Sequence, residues 1–316
     1  MIAIGIDIGG TSIKGAFINE KGEILTRFSF KVDKNKPAEE EVGKLCDLIL
    51  ETKKTANLKE EVKGIGIGNP GIMDMESGLI ISSPNLPNWN NFNIKEFIQK
   101  RVGIPVELNN DANVAALGEA KFGSGHKYQN LLMITLGTGV GGGVIIDGKL
   151  YDGYRHMGGE LGHMVIRHNG RTCGCGRKGC LEAYASATAL VKETKRMMNK
   201  HPESMLTAIE KELNGVDARN AFIAASRGDK YGKKLVEDYI SYLGEGLLNY
   251  CNIFRPEAII LSGGVANEGE NLLSRLRKYM KKHDYGMKGS PEVDLLTSSL
   301  GYDSGKIGAA CLVLFT

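Results

Sequence analysis

The chain opens on MIAIGIDIGG, an apolar run ending in two glycines, which predicts a strand running into a turn. TSIKGAFI predicts a second strand, Asn19-Glu20-Lys21-Gly22 a turn, and EILTRFSFKV a third strand. Short turns between successive strands predict an antiparallel meander rather than the strand-to-helix step of a dinucleotide-binding fold. Over residues 38–56, Val42, Leu45, Leu48 and Ile49 fall at helical spacing. VKGIGIGNPG reads as a strand ending in a turn, 93–101 as a short helix and IPVELNN as a strand. Asp111 then opens a helix through Lys121, a residue type favoured at helix starts.

The pattern then recurs. NLLMITLGTGVGGGVIIDGKLYDG is again strand, Gly/Thr turn and strand, with Asp147-Gly148 as a hairpin turn. Residues 187–200, 203–213, 218–228 and 230–254 carry helical periodicity, and EAIILSGGVANEG reads as strand, Gly-Gly turn and helix start. Two related α/β units follow from this order, and a ligand held between them is the natural expectation.

Composition sharpens this picture at one point. Glycine accounts for 42 of 316 residues against 8 prolines, with no G-X-Y period, so the excess serves specific backbone needs. Close approach of backbone to a ligand is the expected use. A net charge of +3 gives no argument for nucleic acid, and the basic stretch Arg275–Lys288 reads with Leu272, Leu273, Leu276 and Met280 as the wet face of an amphipathic helix. No apolar run approaches the roughly 18 residues of a membrane span. The N-terminus has no signal-peptide pattern, so a cytoplasmic location is expected. Cys46, Cys251 and Cys311 stand alone in apolar surroundings as packing residues.

Chemistry-bearing residues gather at the turns. Asp7-Ile-Gly9-Gly10-Thr11, with Lys14 beyond, offers close-approaching backbone N–H groups, a hydroxyl and a carboxylate able to hold Mg²⁺. The same residues also suit a tight hairpin in which Asp7 satisfies turn amides. Gly137-Thr138-Gly139 opens a second glycine turn that is not a P-loop, and Gly263-Gly264 a third. Together they suit a nucleotide. Asp111 at a helix N-terminus stays ionised and can accept a proton, while the Asn110 amide can bind hydroxyls. His163, Cys173, Cys175 and Cys180 form H-x9-C-x-C-x4-C, a closed donor set for structural Zn²⁺. Glu160 stands three residues before His163, and Glu182 two after Cys180. Trp89 either covers an apolar ligand face or anchors a loop.

DIGGT, LGTGVGGG, LSGGV, the Asn-Asp-Ala-Asn segment and CGCGRKGCLE together resemble the ROK family of sugar kinases over essentially the whole chain. The resemblance implies an actin-like (ribonuclease H-like) duplicated α/β fold of two lobes with a central cleft. The lobes would be residues 1–110 plus 301–316 and residues 111–300. It implies ATP-dependent phosphorylation of a hexose 6-hydroxyl, glucose first, with N-acetylmannosamine, N-acetylglucosamine and fructose as alternatives. It implies Asp111 as the catalytic base, with Asn69, Asn85, Asn110, Asp111, Glu160, His163 and Glu182 around the sugar. ATP and Mg²⁺ fall to Asp7, Gly9, Gly10, Thr11, Lys14, Gly137, Thr138, Gly139, Gly263 and Gly264. A homodimer or homotetramer is implied too. The sugar-responsive regulators of the family carry a helix-turn-helix before the first glycine hairpin. DIGGT at residue 7 makes an enzyme the expectation.

Overall fold

The computed structural model describes residues 1–56, 58, 60–83, 85–285 and 291–315, so Pro84 and the end of the basic stretch at Lys288 lie outside the described residues. It forms two compact units: Met1–Leu131, Gly143–Gly159 and Ser299–Thr316 in the first, Leu132–Gly142 and Glu160–Ser298 in the second.

The first unit opens with the meander β1 (Ile2–Ile8), β2 (Ser12–Asn19) and β3 (Ile24–Lys31), then α1 (Ala38–Thr55) and β4 (Val62–Asn69). Three short strands follow, β5 (Ile72–Asp74), β6 (Leu79–Ser82) and β7 (Phe92–Asn93), then α2 (Ile94–Val102), β8 (Val106–Asn110) and α3 (Asp111–Phe122). The main sheet runs β3-β2-β1-β4-β8, with β1, β4 and β8 parallel. Strand alternation divides β1 between two faces. Ile2, Ile4, Ile6 and Ile8 pack in a core with Val42, Leu45 and Ile49 of α1 and Ile94 and Ile98 of α2. The other face is made of small residues, and it receives the closing helix α10 (Ser304–Leu314).

That second face explains many glycines that sequence pattern assigned to ligand approach. A Cβ on Gly5 would stand 1.8 Å from the Lys306 carbonyl oxygen, and one on Gly66 1.7 Å from that of Ala309. Gly64 and Gly68 meet Val313 and Val114 in the same way. The Gly/Ile alternation of β4 is therefore a packing device: isoleucines fill one core and glycines let helices lie on the backbone. Helices α3 and α10 touch as closely, a Cβ on Gly308 falling 1.6 Å from the Val114 carbonyl oxygen. This contact holds residues 111–131 in the first unit, whereas the expected boundary fell at residue 110.

The second sheet runs β11-β10-β9-β12-β13. It comprises β9 (Leu131–Leu136), β10 (Val140–Ile146), β11 (Lys149–Tyr151), β12 (Ala258–Ser262) and β13 (Asp294–Thr297). The chain passes into the first unit within β10, at Gly143. Helices α4 (Glu182–Ala185), α5 (Ala187–Lys200), α6 (Met205–Leu213), α7 (Arg219–Ser226), α8 (Lys230–Phe254) and α9 (Glu270–His283) belong to the second unit. Leu272, Leu273 and Leu276 are buried on α9, as its amphipathic spacing predicts. Among the described residues, no helix is long and apolar enough to cross a membrane.

Candidate functional site

In the first unit, register alone gathers several of the expected residues. Asp7 pairs with Gly68 and Asn69 with Asn110 across the parallel strands, so β1, β4 and β8 all end along one sheet edge. The carboxyl ends of parallel strands are where open α/β sheets place ligands. Past β1, Gly9 N–H donates to the Ser12 carbonyl at 3.0 Å and closes the hairpin turn. Asn85 lies against that turn, since a Cβ on Gly10 would come within 2.8 Å of the Asn85 Cβ. Lys14 is the cross-strand partner of Asp7, and its Nζ stands 5.7 Å from the centre of the Tyr302 ring. Thr11 is exposed at the turn.

Asp7 is subject to opposing forces. Burial raises its carboxyl above the usual range, while the nearby charges of Lys306 and Lys14 act to lower it. Lys306 was not singled out from the sequence. It is 4% exposed on α10, with its Nζ 2.8 Å from Asp303 Oδ1 and donating to the Tyr302 carbonyl at 3.0 Å. A lysine within the apolar run SGKIGAACLVL was the available signal, because a buried lysine needs an anionic partner.

At the start of α3, the cap is Asn110 rather than Asp111. Asn110 Oδ1 accepts the Ala112 N–H at 2.9 Å, and Asp111 Oδ1 accepts the same N–H at 2.8 Å. The Asp111 carboxylate thus stands in the first helical turn, where the helix dipole favours its charge. The Asn69 side chain is fully buried, donating from Nδ2 to the Pro70 carbonyl at 2.9 Å, while its Oδ1 has no hydrogen-bond partner among the described residues. Trp89 is also fully buried, in the core with Leu86, Phe92 and Ile94. It anchors its loop and covers no ligand.

In the second unit, β9 and β10 are joined by the Gly137–Gly139 turn, closed by Gly137 N–H donating to the Gly139 carbonyl at 3.0 Å. Thr138 is exposed at its tip. Gly263, with φ +87°, sits on the end of β9, where a Cβ would meet the Leu136 carbonyl oxygen at 2.6 Å. The second and third glycine turns are therefore neighbours, and nothing lies within 4 Å of a Cβ placed on Gly264.

Glu160 and His163 flank one 3-10 turn, with His163 N–H donating to the Glu160 carbonyl at 3.0 Å. The spacing of three residues brings them to one side, as expected. His163 Nδ1 faces Cys173 Sγ at 3.6 Å, and Cys175 Sγ lies 3.8 Å from Cys180 Sγ. All four donor atoms lie within 4.8 Å of one another. A tetrahedral ion with Zn–S of about 2.3 Å and Zn–N of about 2.0–2.1 Å requires S···S edges of about 3.8 Å and S···N edges of about 3.6 Å. The donor set fits zinc in identity and number, and the His163–Cys173 and Cys175–Cys180 separations match those edges. Burial raises the Cys173 thiol, whereas a backbone N–H from Arg177 foremost lowers that of Cys175.

Glu182 is engaged by the protein at both carboxylate oxygens. Its Oε2 accepts the Val140 N–H at 3.0 Å, and its Oε1 accepts from Cys173 Sγ at 3.2 Å. A Cβ on Gly139 would fall 2.4 Å from Oε2, so the carboxylate would have to shift to make room for one. The carboxylate thus joins the cysteine loop to the second glycine turn. Any sugar contact uses lone pairs left over from that task.

Glucokinase of Thermotoga maritima is 37% identical over 98% of this chain and 96% of its own length. The xylose repressor of Bacillus subtilis is 32% identical over 99% of this chain and 77% of the repressor. A crystal structure of a ROK family glucokinase from Streptomyces griseus, in complex with glucose and AMPPNP, matches all of both chains at 34% identity and a TM-score of 0.83. The ROK family profile matches residues 3–315, and the chain belongs to the ROK family, with that family's actin-like α/β fold.

Proposed function

We propose that this chain is an ATP-dependent hexose kinase that transfers the γ-phosphoryl group of ATP to the 6-hydroxyl of glucose. The glucokinases among its relatives support the substrate class. One structural observation carries the reading: register brings Asp7, Asn110 and then Asp111 to the same end of β1, β4 and β8. In this reading a phosphate-handling carboxylate and a proton acceptor share one sheet edge.

Phosphoryl transfer needs little covalent chemistry from the protein beyond positioning, charge stabilisation and a proton acceptor. In this reading Asp111 accepts the proton of the attacking hydroxyl. Asn110 is spent at Oδ1 on the helix cap and offers Nδ2 to a sugar oxygen. Asn85, Glu160, His163 and Glu182 orient the remaining hydroxyls. Backbone N–H groups of Gly9, Gly10, Gly137, Gly139, Gly263 and Gly264, with Thr11, Thr138 and Lys14, receive the nucleotide. Asp7 would hold Mg²⁺, which neutralises phosphate charge when bound. His163, Cys173, Cys175 and Cys180 would hold structural zinc, leaving His163 Nε2 to face a ligand. Three thiolate ligands suit a reducing compartment, in line with a cytoplasmic location. A homodimer or homotetramer is the assembly the family resemblance implies, and light scattering reads it.

The test is a coupled assay with ATP over glucose, mannose, fructose, N-acetylglucosamine and N-acetylmannosamine, with Asp111→Ala alongside. Glucose should give the highest kcat/KM, and Asp111→Ala should abolish turnover while glucose binding survives. Failure of the wild type to phosphorylate any of the five refutes the kinase. Near-normal turnover in Asp111→Ala removes that residue as base.

A further inference from the structure

One polar chain in the first unit has no part in the mechanism above. Asn109, 6% exposed, precedes the Asn110–Asp111 pair, and its amide is held on both sides. Asn109 Oδ1 accepts from Asn110 N–H at 2.7 Å and from Asn113 Nδ2 at 2.9 Å. Its Nδ2 donates to Asp152 Oδ2 at 3.0 Å. The same Asp152 oxygen lies 2.7 Å from His156 Nδ1. These bonds fix which way the Asn109 amide faces: only the orientation with nitrogen toward Asp152 leaves oxygen for both N–H donors.

The turn that carries Asp152 is built at some expense. Gly158 N–H donates to the Asp152 carbonyl at 2.6 Å and closes it. Within it, Arg155 and His156 take φ of 55° and 59°, a left-handed region unfavourable to residues with a Cβ. Such strain persists where surrounding structure over-determines it, and it gathers at functional sites. Here the His156–Asp152 contact holds the turn.

We propose that Asp152 is a positioning residue for the Asn109–Asp111 segment. It acts through the Asn109 amide, which in turn fixes the Asn110 N–H at the junction of β8 and α3. Asp152 touches no substrate. This rests on the kinase reading for its effect on turnover, though not for its effect on the segment itself. Displacement of a reacting group by about 1 Å can cost on the order of a hundredfold in rate.

Four variants test it: Asp152→Ala, Asp152→Asn, Asn109→Asp and the double variant Asn109→Asp/Asp152→Asn. Asp152→Ala should lower kcat about ten- to a hundredfold and raise the glucose KM, with the ATP KM within about twofold. Asp152→Asn keeps an acceptor and should recover most of that loss. Asn109→Asp sets two carboxylates face to face and should be as impaired as Asp152→Ala. The double variant restores one donor facing one acceptor and should regain at least tenfold over Asn109→Asp. Amide hydrogen exchange of residues 109–113 should rise in Asp152→Ala and Asn109→Asp, and return to the wild-type rate in the double variant. Wild-type kcat and glucose KM in Asp152→Ala, or no recovery in the double variant, overturns the proposal. Should Asp152→Ala not fold, the Asn109 pair decides alone. A wild type inactive on every sugar refutes the kinase reading instead, and the exchange rates then judge Asp152 by themselves.

Discussion

Asp303 is the anion on which a buried lysine depends, and its loss should be measurable. Arg27 donates to it twice, at 2.6 and 2.8 Å, and Lys306 Nζ stands 2.8 Å away. The Arg27 hydrogen bonds foremost, then Lys306, hold the Asp303 carboxyl down at about 2, against an ordinary 3.8. At about 1.4 kcal/mol per pH unit, that gap corresponds to about 2–3 kcal/mol. The Arg27 side chain is 54% exposed, so solvent screening reduces the realised value to about 1–2 kcal/mol. Asp303→Asn also leaves the Lys306 ammonium buried without its closest anion, a situation that costs about 3–5 kcal/mol in other buried pairs. A loss of about 2–4 kcal/mol at pH 7 is therefore expected from urea denaturation. The sign with pH follows from linkage. A depressed carboxyl contributes stability that is complete above about pH 4 and is lost as pH falls through about 2. The gap between wild type and Asp303→Asn should accordingly narrow between pH 4 and 2. Removing both charges, as Asp303→Asn/Lys306→Leu, should recover more than half of the loss at pH 7. An Asp303→Asn protein within 0.5 kcal/mol of wild type at pH 7, on the same order as an exposed pair, refutes this account.

Three further outcomes follow from other contacts. Purified protein should carry one zinc per chain by metal analysis, and Cys175→Ser none. Because Glu182 follows the Cys180 ligand by two residues and its Oε2 holds the Val140 N–H beside the second glycine turn, the zinc-free variant should weaken ATP as well as sugar binding; unchanged ATP affinity by calorimetry removes that link. Gly308→Ala forces a Cβ toward the Val114 carbonyl, so it should cost at least about 2 kcal/mol in chemical denaturation, whereas Gly264→Ala should leave stability within about 0.5 kcal/mol. Trp89, the single tryptophan, should emit as a buried indole, resist acrylamide quenching and show no change on adding glucose.

Much of this was legible along the chain because it is local. The DIGGT hairpin needs only alternation and two glycines, and helix α8 needs only its periodicity, so both stand where pattern put them. The His/Cys cluster was equally plain, since four donors within eighteen residues can gather without help from distant chain. What pattern could not reach were contacts between segments far apart. Strands of two to four residues, β5 to β7, carry too few alternations to register. Asn69 and Trp89 look available among polar neighbours, yet packing buries both. Asp152 and Asn109 lie 43 residues apart, and no spacing rule links them.

Glycine shows the division most clearly. By itself the sequence determined that glycine is in excess, where it clusters, and which clusters accompany carboxylates, hydroxyls and thiols. Those facts fix the class of chemistry, because residue type and local spacing decide what a turn can bind. Only the tertiary structure decided which glycines border open space and which face a helix. Gly137 and Gly264 have open space at the Cβ position, whereas Gly5, Gly66 and Gly308 have a backbone carbonyl within 2 Å of it. The physical reason is that a missing side chain makes room equally for a phosphate and for another stretch of backbone. Which of the two arrives depends on how distant segments pack.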